Sequence, residues 1–145
     1  MFVENLKETL NLGKKLSQKL NSKSIVLLQG PIGAGKTSFV QGIARGLSIS
    51  EDITSPTFAL SHHYSSGKIP LIHLDLYRLD NSSSAKEVFF SEEEEALQSK
   101  AILVIEWPEL IEPLIKDFWK IEISYAKNFG RNYLIRDPKN LITFA

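Results

Sequence analysis

The sequence predicts an α/β fold in which a central parallel sheet is extended by antiparallel strands and flanked by helices. Two short apolar runs, residues 24–29 and 101–105, are typical of strands that are buried on both faces of a parallel sheet. A glycine-rich loop leads from the first run into a helical pattern. Alternating segments near the carboxyl end indicate further strands, which favours a mixed sheet.

Length and composition predict one domain over residues 1–145, with 43% apolar and 23% charged residues. The absence of cysteine excludes a disulfide framework and a thiolate metal site. The first residues lack the pattern of a signal peptide, and no apolar run approaches the ~20 residues of a membrane span. A cytoplasmic protein without a membrane partner is therefore expected. No basic stripe typical of nucleic-acid binding is present.

The first element is predicted to be a helix over residues 2–20. Phe2, Leu6, Leu10, Leu16 and Leu20 lie roughly on one face of such a helix. We expect it to cover the sheet, and it shows no sign of a ligand role.

A glycine-rich loop over residues 30–37 follows the first apolar run. Gly30, Gly35, Lys36 and Thr37 match every fixed position of the phosphate-binding pattern G-x-x-x-x-G-K-[ST]. In such a loop the backbone N–H groups point at phosphate oxygens, the lysine reaches the β- and γ-phosphates, and the hydroxyl ligates Mg²⁺. The expected nucleotide-binding residues are Gly30, Ile32, Gly33, Ala34, Gly35, Lys36, Thr37 and Ser38. A helix is predicted over residues 37–47.

The polar segment after this helix leads into Ser55, Pro56 and Thr57. Pro56 biases the residue before it towards an extended backbone, so a loop is predicted. In nucleotide switches this position often holds a segment that senses the γ-phosphate and Mg²⁺. The spacing alone leaves two interpretations of this segment open, a switch-like loop and a plain polar connector.

A hairpin is predicted from strands over residues 58–64 and 69–75, joined by a turn at 65–68. Pro70 favours a place at the sheet edge because it has no N–H to donate. Asp75 ends the second strand, where a metal-binding carboxylate of a phosphate-loop protein is found. His62 and His63 are not expected to share a metal, since adjacent strand residues point to opposite faces.

A helix over residues 84–98 is predicted to turn Val88, Phe89, Ala96 and Leu97 towards the core. The four glutamates 92–95 are expected to form a solvated face. The second buried strand then ends at Glu106, which places that carboxylate at the ligand-binding edge of the sheet. Trp107 is open to two interpretations, as a core residue or as an aromatic that stacks on the base or on an arginine.

The chain closes with predicted strands over residues 118–124, 132–136 and 141–144, and a turn at 128–131. Pro113 is expected to interrupt any helix that begins at Pro108. We interpret the three strands as an antiparallel extension of the sheet.

The residues by themselves favour a minimal nucleotide hydrolase. Catalytic roles are predicted for Lys36, on the γ-phosphate, and for Glu106, on the attacking water. Mg²⁺ is expected to lie among Thr37, Asp75 and Glu106, and Trp107 to border the nucleotide. A GTPase is disfavoured because no N-K-x-D run exists. A small-molecule kinase stays open, although four arginines and no arginine-rich lid fit it poorly. A binding switch with little hydrolysis is the third alternative.

Four motifs together resemble the bacterial TsaE family, also called YjeE. They are GAGKT at 33–37, SPTF at 55–58, HLDLYRL at 73–79 and IEWPE at 105–109. Their order and spacing match the family from about residue 10 to residue 136. The last two motifs are far more specific than the phosphate loop alone. Residues 81–91 fit the family's intervening helix poorly.

The resemblance implies an ATPase that supports synthesis of threonylcarbamoyladenosine in tRNA, at the adenosine beside the anticodon. Proteins of this family bind a complex of the transferase TsaD with TsaB, and ATP hydrolysis resets that complex between turnovers. Contact with tRNA is then indirect. By position, the resemblance assigns phosphate and Mg²⁺ to Lys36 and Thr37, a switch-like loop to 55–57, and the metal to Asp75. Glu106 and Trp107 complete the implied ATP site.

Overall fold

The computed structural model describes residues 1–56 and 60–144, which form a mixed sheet packed between helices. The strands are β1 (Phe2–Val3), β2 (Ile25–Gln29), β3 (Ser61–Tyr64), β4 (Leu71–Asp75), β5 (Ile102–Glu106), β6 (Trp119–Tyr125), β7 (Arg131–Arg136) and β8 (Ile142–Thr143). The helices are α1 (Leu6–Ser17), α2 (Lys36–Gly46) and α3 (Ser82–Ser99), with short 3₁₀ turns at Glu112–Leu114 and Lys127–Phe129. The predicted fold class is confirmed.

Four parallel strands form the centre of the sheet. The strand order is β1-β7-β6-β2-β5-β4-β3, and β8 pairs with β7. β2 runs parallel to both β5 and β6, and β5 runs parallel to β4. Asp75 and Glu106 are register partners at the carboxyl ends of β4 and β5. Because parallel strands end at the same edge, the phosphate loop after β2 lies at the edge where these two carboxylates emerge.

The prediction for the last strands was right for β7 and β8 but wrong for β6. β6 pairs in parallel with β2, and only its other edge, to β7, is antiparallel. The reason lies in the connection from β5, which ends at Glu106, to β6, which begins at Trp119. This segment of a dozen residues is long enough for the crossover that a parallel pair requires. The alternation of apolar residues indicates which face of a strand is buried. It does not indicate whether the strand runs parallel or antiparallel to its neighbour.

The predicted first helix is also corrected. Phe2 and Val3 form β1, which pairs antiparallel with β7, and α1 begins only after Asn5. The Asn5 side chain caps α1 by accepting a hydrogen bond from the Glu8 N–H at 3.0 Å. The face that α1 buries consists of Thr9, Leu12, Gly13, Leu16 and Ser17. Leu6, predicted to be in the core, is 59% exposed.

The core lies on both sides of the sheet. On one side α1 and α2 bury apolar residues against the sheet, including Leu16, Phe39 and Ile43. On the other side α3 packs through Ala85, Phe89 and Ala96. Leu97, predicted to face the core, is 53% exposed. None of the helices in residues 1–56 and 60–144 has both the length and the apolar character needed to cross a bilayer.

The hairpin β3–β4 is antiparallel, with β3 as the edge strand and β4 one place inside it. Pro70 immediately precedes β4, and its carbonyl accepts a hydrogen bond from the Ile102 N–H at 2.8 Å.

The run of glutamates at 92–95 in α3 differs from the prediction of a solvated face, because Glu92 is half-buried. It bonds to the Ser61 hydroxyl at 3.0 Å and to His63 at 2.8 Å, which ties α3 to the edge strand.

Candidate functional site

The phosphate loop joins β2 to α2 and takes a shape that its glycines permit. Gly33 and Gly35 have φ of +79° and +102°, a region that other residues rarely adopt. A Cβ at Gly30 would lie 2.8 Å from the carbonyl oxygen of Ile123 in β6. Gly35 precedes α2 without any side-chain cap, so the first-turn N–H groups of α2 are open to an anion.

Lys36 begins α2 and folds back over its own loop. Its ammonium donates to the carbonyl oxygens of Gly30 at 2.6 Å and Pro31 at 2.9 Å. It lies 4.2 Å from the centre of the Trp107 ring, and the residue is only 6% exposed. Burial lowers the pKa of Lys36, while the negative charges of Glu106 and neighbouring carboxylates oppose that shift.

Asp75 and Glu106 face the cavity from neighbouring strand ends. Burial raises the pKa of Asp75, and the charge of Glu106 adds to that rise. The backbone N–H of Tyr77, which donates to Asp75 Oδ1 at 2.9 Å, opposes it. A neighbouring negative charge that makes Asp75 harder to ionise favours a cation beside it.

The side chain of His73, which does not line the cavity, contacts Glu106. The His73 Nε2 lies 2.5 Å from Glu106 Oε2, and both side chains are almost fully buried. No described residue pairs with His73 Nδ1. Sequence reasoning missed this contact, since the motif H-L-D places His73 two residues before Asp75 without indicating its partner.

Trp107 follows Glu106 in the left-handed region, with a φ of +57°. Its ring packs against Tyr77 with centroids 4.8 Å apart and covers the Lys36 ammonium. Trp107 is therefore half-buried at the site, whereas Trp119 is a core residue. Trp107 therefore lies beside the site and not in the core, while its stacking on a base or on an arginine stays a prediction.

A cavity of about 430 Å³, called here the Glu106 cavity, brings most of the predicted site residues together. Its walls include Ile32, Gly33, Gly35, Lys36, Thr37, Ser38, Ser55, Asp75, Glu106 and Trp107. Gly30 lines a neighbouring cleft instead, and Ala34 is buried beneath the loop. Thr57 lies outside the described residues, and Pro56 is buried beside Ser55.

The loop before Ser55 is anchored at two points. The Gln41 side chain on α2 donates to the Ile53 carbonyl at 3.1 Å. The Tyr64 hydroxyl on β3 accepts from the Thr54 N–H at 3.3 Å and lies 3.0 Å from His62 Nδ1. The segment thus joins the phosphate-loop helix to the edge hairpin, and it presents Ser55 to the Glu106 cavity.

Two residues from the antiparallel part of the sheet hold the outer side of the phosphate loop. The Tyr125 hydroxyl donates to the Ile32 carbonyl. The Arg131 guanidinium donates to the carbonyls of Gly33 and Ala34, each at 3.2 Å, and lies 4.7 Å from the Tyr125 ring. These contacts hold the carbonyl groups on the outer side of the loop, so the backbone N–H groups can point to its inner side. No sequence signal indicated either residue, because they act across more than ninety positions of chain.

A second cavity of about 230 Å³, called here the Thr9 groove, lies on the other side of the same loop. Leu6, Thr9, Phe129 and Arg131 contribute to its walls, together with Gly33, Gly35 and Ser38 of the loop region. These last three residues line both cavities, so the two spaces meet at the phosphate loop.

The family profile described as Threonylcarbamoyl adenosine biosynthesis protein TsaE matches residues 3–133. The chain belongs to the TsaE family. The sequence motifs indicated the family from about residue 10, and the profile match begins seven residues earlier. The match therefore includes the start of α1. It also includes Arg131 at the phosphate loop.

Individual TsaE proteins agree with this assignment. The tRNA threonylcarbamoyladenosine biosynthesis protein TsaE of Nostoc is 39% identical over 135 residues, which are 93% of this chain and 76% of that protein. The protein of the same name from Synechocystis is 44% identical over 117 residues, covering 78% of this chain and 72% of its own length. The crystal structure of YdiB from Bacillus subtilis superposes with a TM-score of 0.74 at 27% identity, over 92% of this chain and 80% of that one.

The donor set of this TsaE-family chain fits Mg²⁺. Among the described residues no cluster of three or more histidine, cysteine or carboxylate side chains forms a ready-made metal cage. Mg²⁺ is commonly held by one or two carboxylates, with phosphate oxygens and water completing the octahedron. Thr37, Asp75 and Glu106 supply a hydroxyl and two carboxylates to one cavity, which matches this donor pattern.

Proposed function

We propose that the chain binds and hydrolyses ATP in support of threonylcarbamoyladenosine formation in tRNA, beside the anticodon, by acting on a TsaD–TsaB complex. The proposal of ATP hydrolysis rests on one observation. Residues of the phosphate loop line the Glu106 cavity together with Asp75 and Glu106. Membership of the TsaE family carries the link to threonylcarbamoyladenosine. A single domain over residues 1–145 and a cytoplasmic location remain predictions.

The two cavities suggest how the nucleotide lies. Both are lined by Gly33, Gly35 and Ser38, so a phosphate chain that crosses the loop connects them. We assign the nucleoside to the Thr9 groove, where Leu6 and Phe129 offer apolar surface beside the polar Thr9. The γ-phosphate then reaches the Glu106 cavity, which contains the two carboxylates.

Lys36 changes partners when a phosphate arrives. In the structure its ammonium is satisfied by the carbonyls of Gly30 and Pro31 and by the Trp107 ring. A phosphate dianion on the loop is a stronger acceptor than two neutral carbonyls, and it offsets the cost of burying the ammonium. Lys36 then stabilises the charge that develops on the γ-phosphoryl oxygens.

Thr37, Asp75 and Glu106 would hold Mg²⁺, which neutralises phosphate charge in the transition state. Glu106 has a second task, because its carboxylate can accept a proton from water or orient it for in-line attack. The rings of Trp107 and Tyr77 pack against each other in the lining of the same cavity.

The deciding experiment measures ATP turnover by the purified chain with and without TsaD–TsaB, using Lys36→Ala as the inactive reference and Lys14→Ala, an exposed lysine of α1, as the matched control. We expect activation by the partners, loss of about a hundredfold in Lys36→Ala, and no change in Lys14→Ala. Normal turnover by Lys36→Ala would contradict the site. Transfer of phosphate to a small metabolite instead of water would favour a kinase.

A nucleotide-dependent binding switch is the second candidate, and the anchoring of the Ser55 segment favours it. Gln41 and Tyr64 connect this segment to α2 and to the edge hairpin, so a shift at the γ-phosphate would reach the surface at β3. Affinity for TsaD–TsaB, measured with a non-hydrolysable ATP analogue and with ADP, separates the two. A large difference in affinity together with negligible turnover would favour the switch.

A further inference from the structure

His73 and Glu106 form a buried pair immediately behind the Glu106 cavity. His73 lies inside β4, is fully buried, and brings Nε2 within 2.5 Å of Glu106 Oε2 on the neighbouring strand. Nothing in the proposed reaction uses His73 directly, since it does not line the cavity. A polar residue in a sheet core is costly unless its hydrogen bonds serve the structure or the site.

The hydrogen-bonding pattern indicates which ring nitrogen carries the proton. His73 Nδ1 has no hydrogen-bond partner within residues 1–56 and 60–144. If Nδ1 carried a hydrogen, a buried N–H would be left without an acceptor, whereas an unpaired lone pair costs less. The favoured arrangement therefore places a hydrogen on Nε2, which donates to Glu106 Oε2.

We propose that His73 is the positioning residue for Glu106. Its N–H holds Oε2, which fixes the carboxylate plane and leaves Oε1 for the water or the metal in the cavity. A glutamate has three side-chain torsions, and without His73 it would sample several rotamers at the end of β5. Residues that orient a ligand or a base from behind commonly affect activity by 10–100-fold. This inference rests on the proposed ATP hydrolysis.

The first test compares ATP turnover, with TsaD–TsaB present, of wild type, His73→Leu and His73→Gln. We expect His73→Leu to lower kcat at least tenfold while KM and the Kd for ADP change less than about threefold. His73→Gln keeps an amide N–H near the position of Nε2, so it should recover most of the lost rate. An unchanged kcat in His73→Leu, or no recovery in His73→Gln, would overturn the proposal.

The chain offers a matched control on the adjacent strand. His63 contacts Glu92 through the same atoms, Nε2 and Oε2, at 2.8 Å, away from the Glu106 cavity. His63→Leu therefore removes a histidine–carboxylate pair of similar geometry that is more exposed to solvent, and it should leave kcat unchanged. A loss in His63→Leu equal to that in His73→Leu would assign the effect to the stability of the sheet.

A double-mutant cycle separates positioning from an independent role. In a Glu106→Ala background His73 has no carboxylate to orient, so His73→Leu should change the residual rate less than twofold. Equal fold-losses in both backgrounds would contradict the proposal. If His73→Leu does not fold, His73→Asn replaces it, because its shorter amide does not reach Oε2 and the same loss is expected.

A measurement that needs no turnover distinguishes failure of this inference from failure of the proposed function. In ¹⁵N-histidine NMR spectra of the wild type we expect the Nε2–H tautomer for His73, with a proton signal that shifts in Glu106→Ala. The Nδ1–H tautomer, or an unshifted signal, would overturn the pairing even if the chain hydrolyses ATP. Absence of any hydrolysis by the wild type with its partners would instead refute the ATPase.

Discussion

Glu106 combines near-complete burial with a place in the wall of a cavity, with 3% of its surface exposed. A carboxylate in that position is costly without compensation. His73 supplies a hydrogen bond from one side, and the Lys36 ammonium supplies favourable charge from the other. A bound phosphate would change the partners of Lys36, whereas His73 would stay in place and keep Glu106 oriented for its water-positioning role.

We predict that Glu106→Ala retains ATP binding while hydrolysis falls by an order of magnitude or more. The phosphate loop, which carries most of the binding contacts, stays intact, whereas the group that orients water is removed. Calorimetric titration with ATP and steady-state turnover check the two parts. Glu94→Ala, at an exposed position of α3, serves as the control. Equal loss of binding and hydrolysis would give Glu106 a structural role.

At the scale of elements, α1 and α2 touch backbone to backbone. A Cβ at Gly42 would lie 2.4 Å from the Leu10 carbonyl oxygen, and one at Gly13 would lie 2.5 Å from that of Phe39. This close approach explains why α1 buries Gly13 and Leu12 beside Leu16, whereas Leu6 of the predicted face is exposed. Since α2 carries Lys36 and Thr37, the contact also fixes the helix that presents the phosphate loop.

Gly42→Ala is expected to lower the free energy of unfolding by about 1–3 kcal/mol, because the added methyl forces the two helices apart. Alanine favours a helix over glycine by roughly 1 kcal/mol, so the steric cost of the added methyl must exceed that gain. Thermal unfolding followed by circular dichroism would show a Tm lower by about 2–12 °C. Asn11→Ala, on the exposed side of α1, should not lower the Tm. An unchanged Tm in Gly42→Ala would show that α1 can move away at little cost.

At the scale of the whole molecule, the phosphate loop depends on both halves of the sheet. The parallel half supplies β2 and the two carboxylates, and the antiparallel half supplies Tyr125 and Arg131, which hold the carbonyls of the loop from outside. The hydrogen bond from Tyr125 to Ile32 spans 93 positions of sequence. The extension of the sheet therefore helps to hold the shape of this loop.

We predict that Tyr125→Phe weakens ATP binding by about two- to tenfold, the range that loss of one hydrogen bond produces. The ring remains to pack against Arg131, so the fold and the Tm should be retained. Equilibrium titration with ATP measures the change, and Ser124→Ala, at an exposed neighbouring position, is the control. Unaltered affinity in Tyr125→Phe would mean that Arg131 alone is sufficient to hold the loop.

Local patterns predicted the parts of this protein whose physical causes are local. The glycines of the phosphate loop, the apolar run of β2 and the helix after it occupy one continuous stretch, and the backbone requirements of that stretch are visible in its residues. The strand ends at Asp75 and Glu106 were predicted for the same reason. The two positions are exact register partners only because β4 and β5 pair, which no local pattern encodes.

Tertiary structure alone decided the direction of β6, the strand at Phe2–Val3 and the face that α1 buries, because each depends on a partner that is distant in sequence. It also decided what surrounds the predicted site: His73 behind Glu106, and Tyr125 with Arg131 around the loop. The sequence by itself determined the fold class, the family and most of the residues that line the Glu106 cavity. Which side chains hold those residues in place followed only from packing, because these hydrogen bonds join residues that lie 33 to 98 positions apart in the sequence.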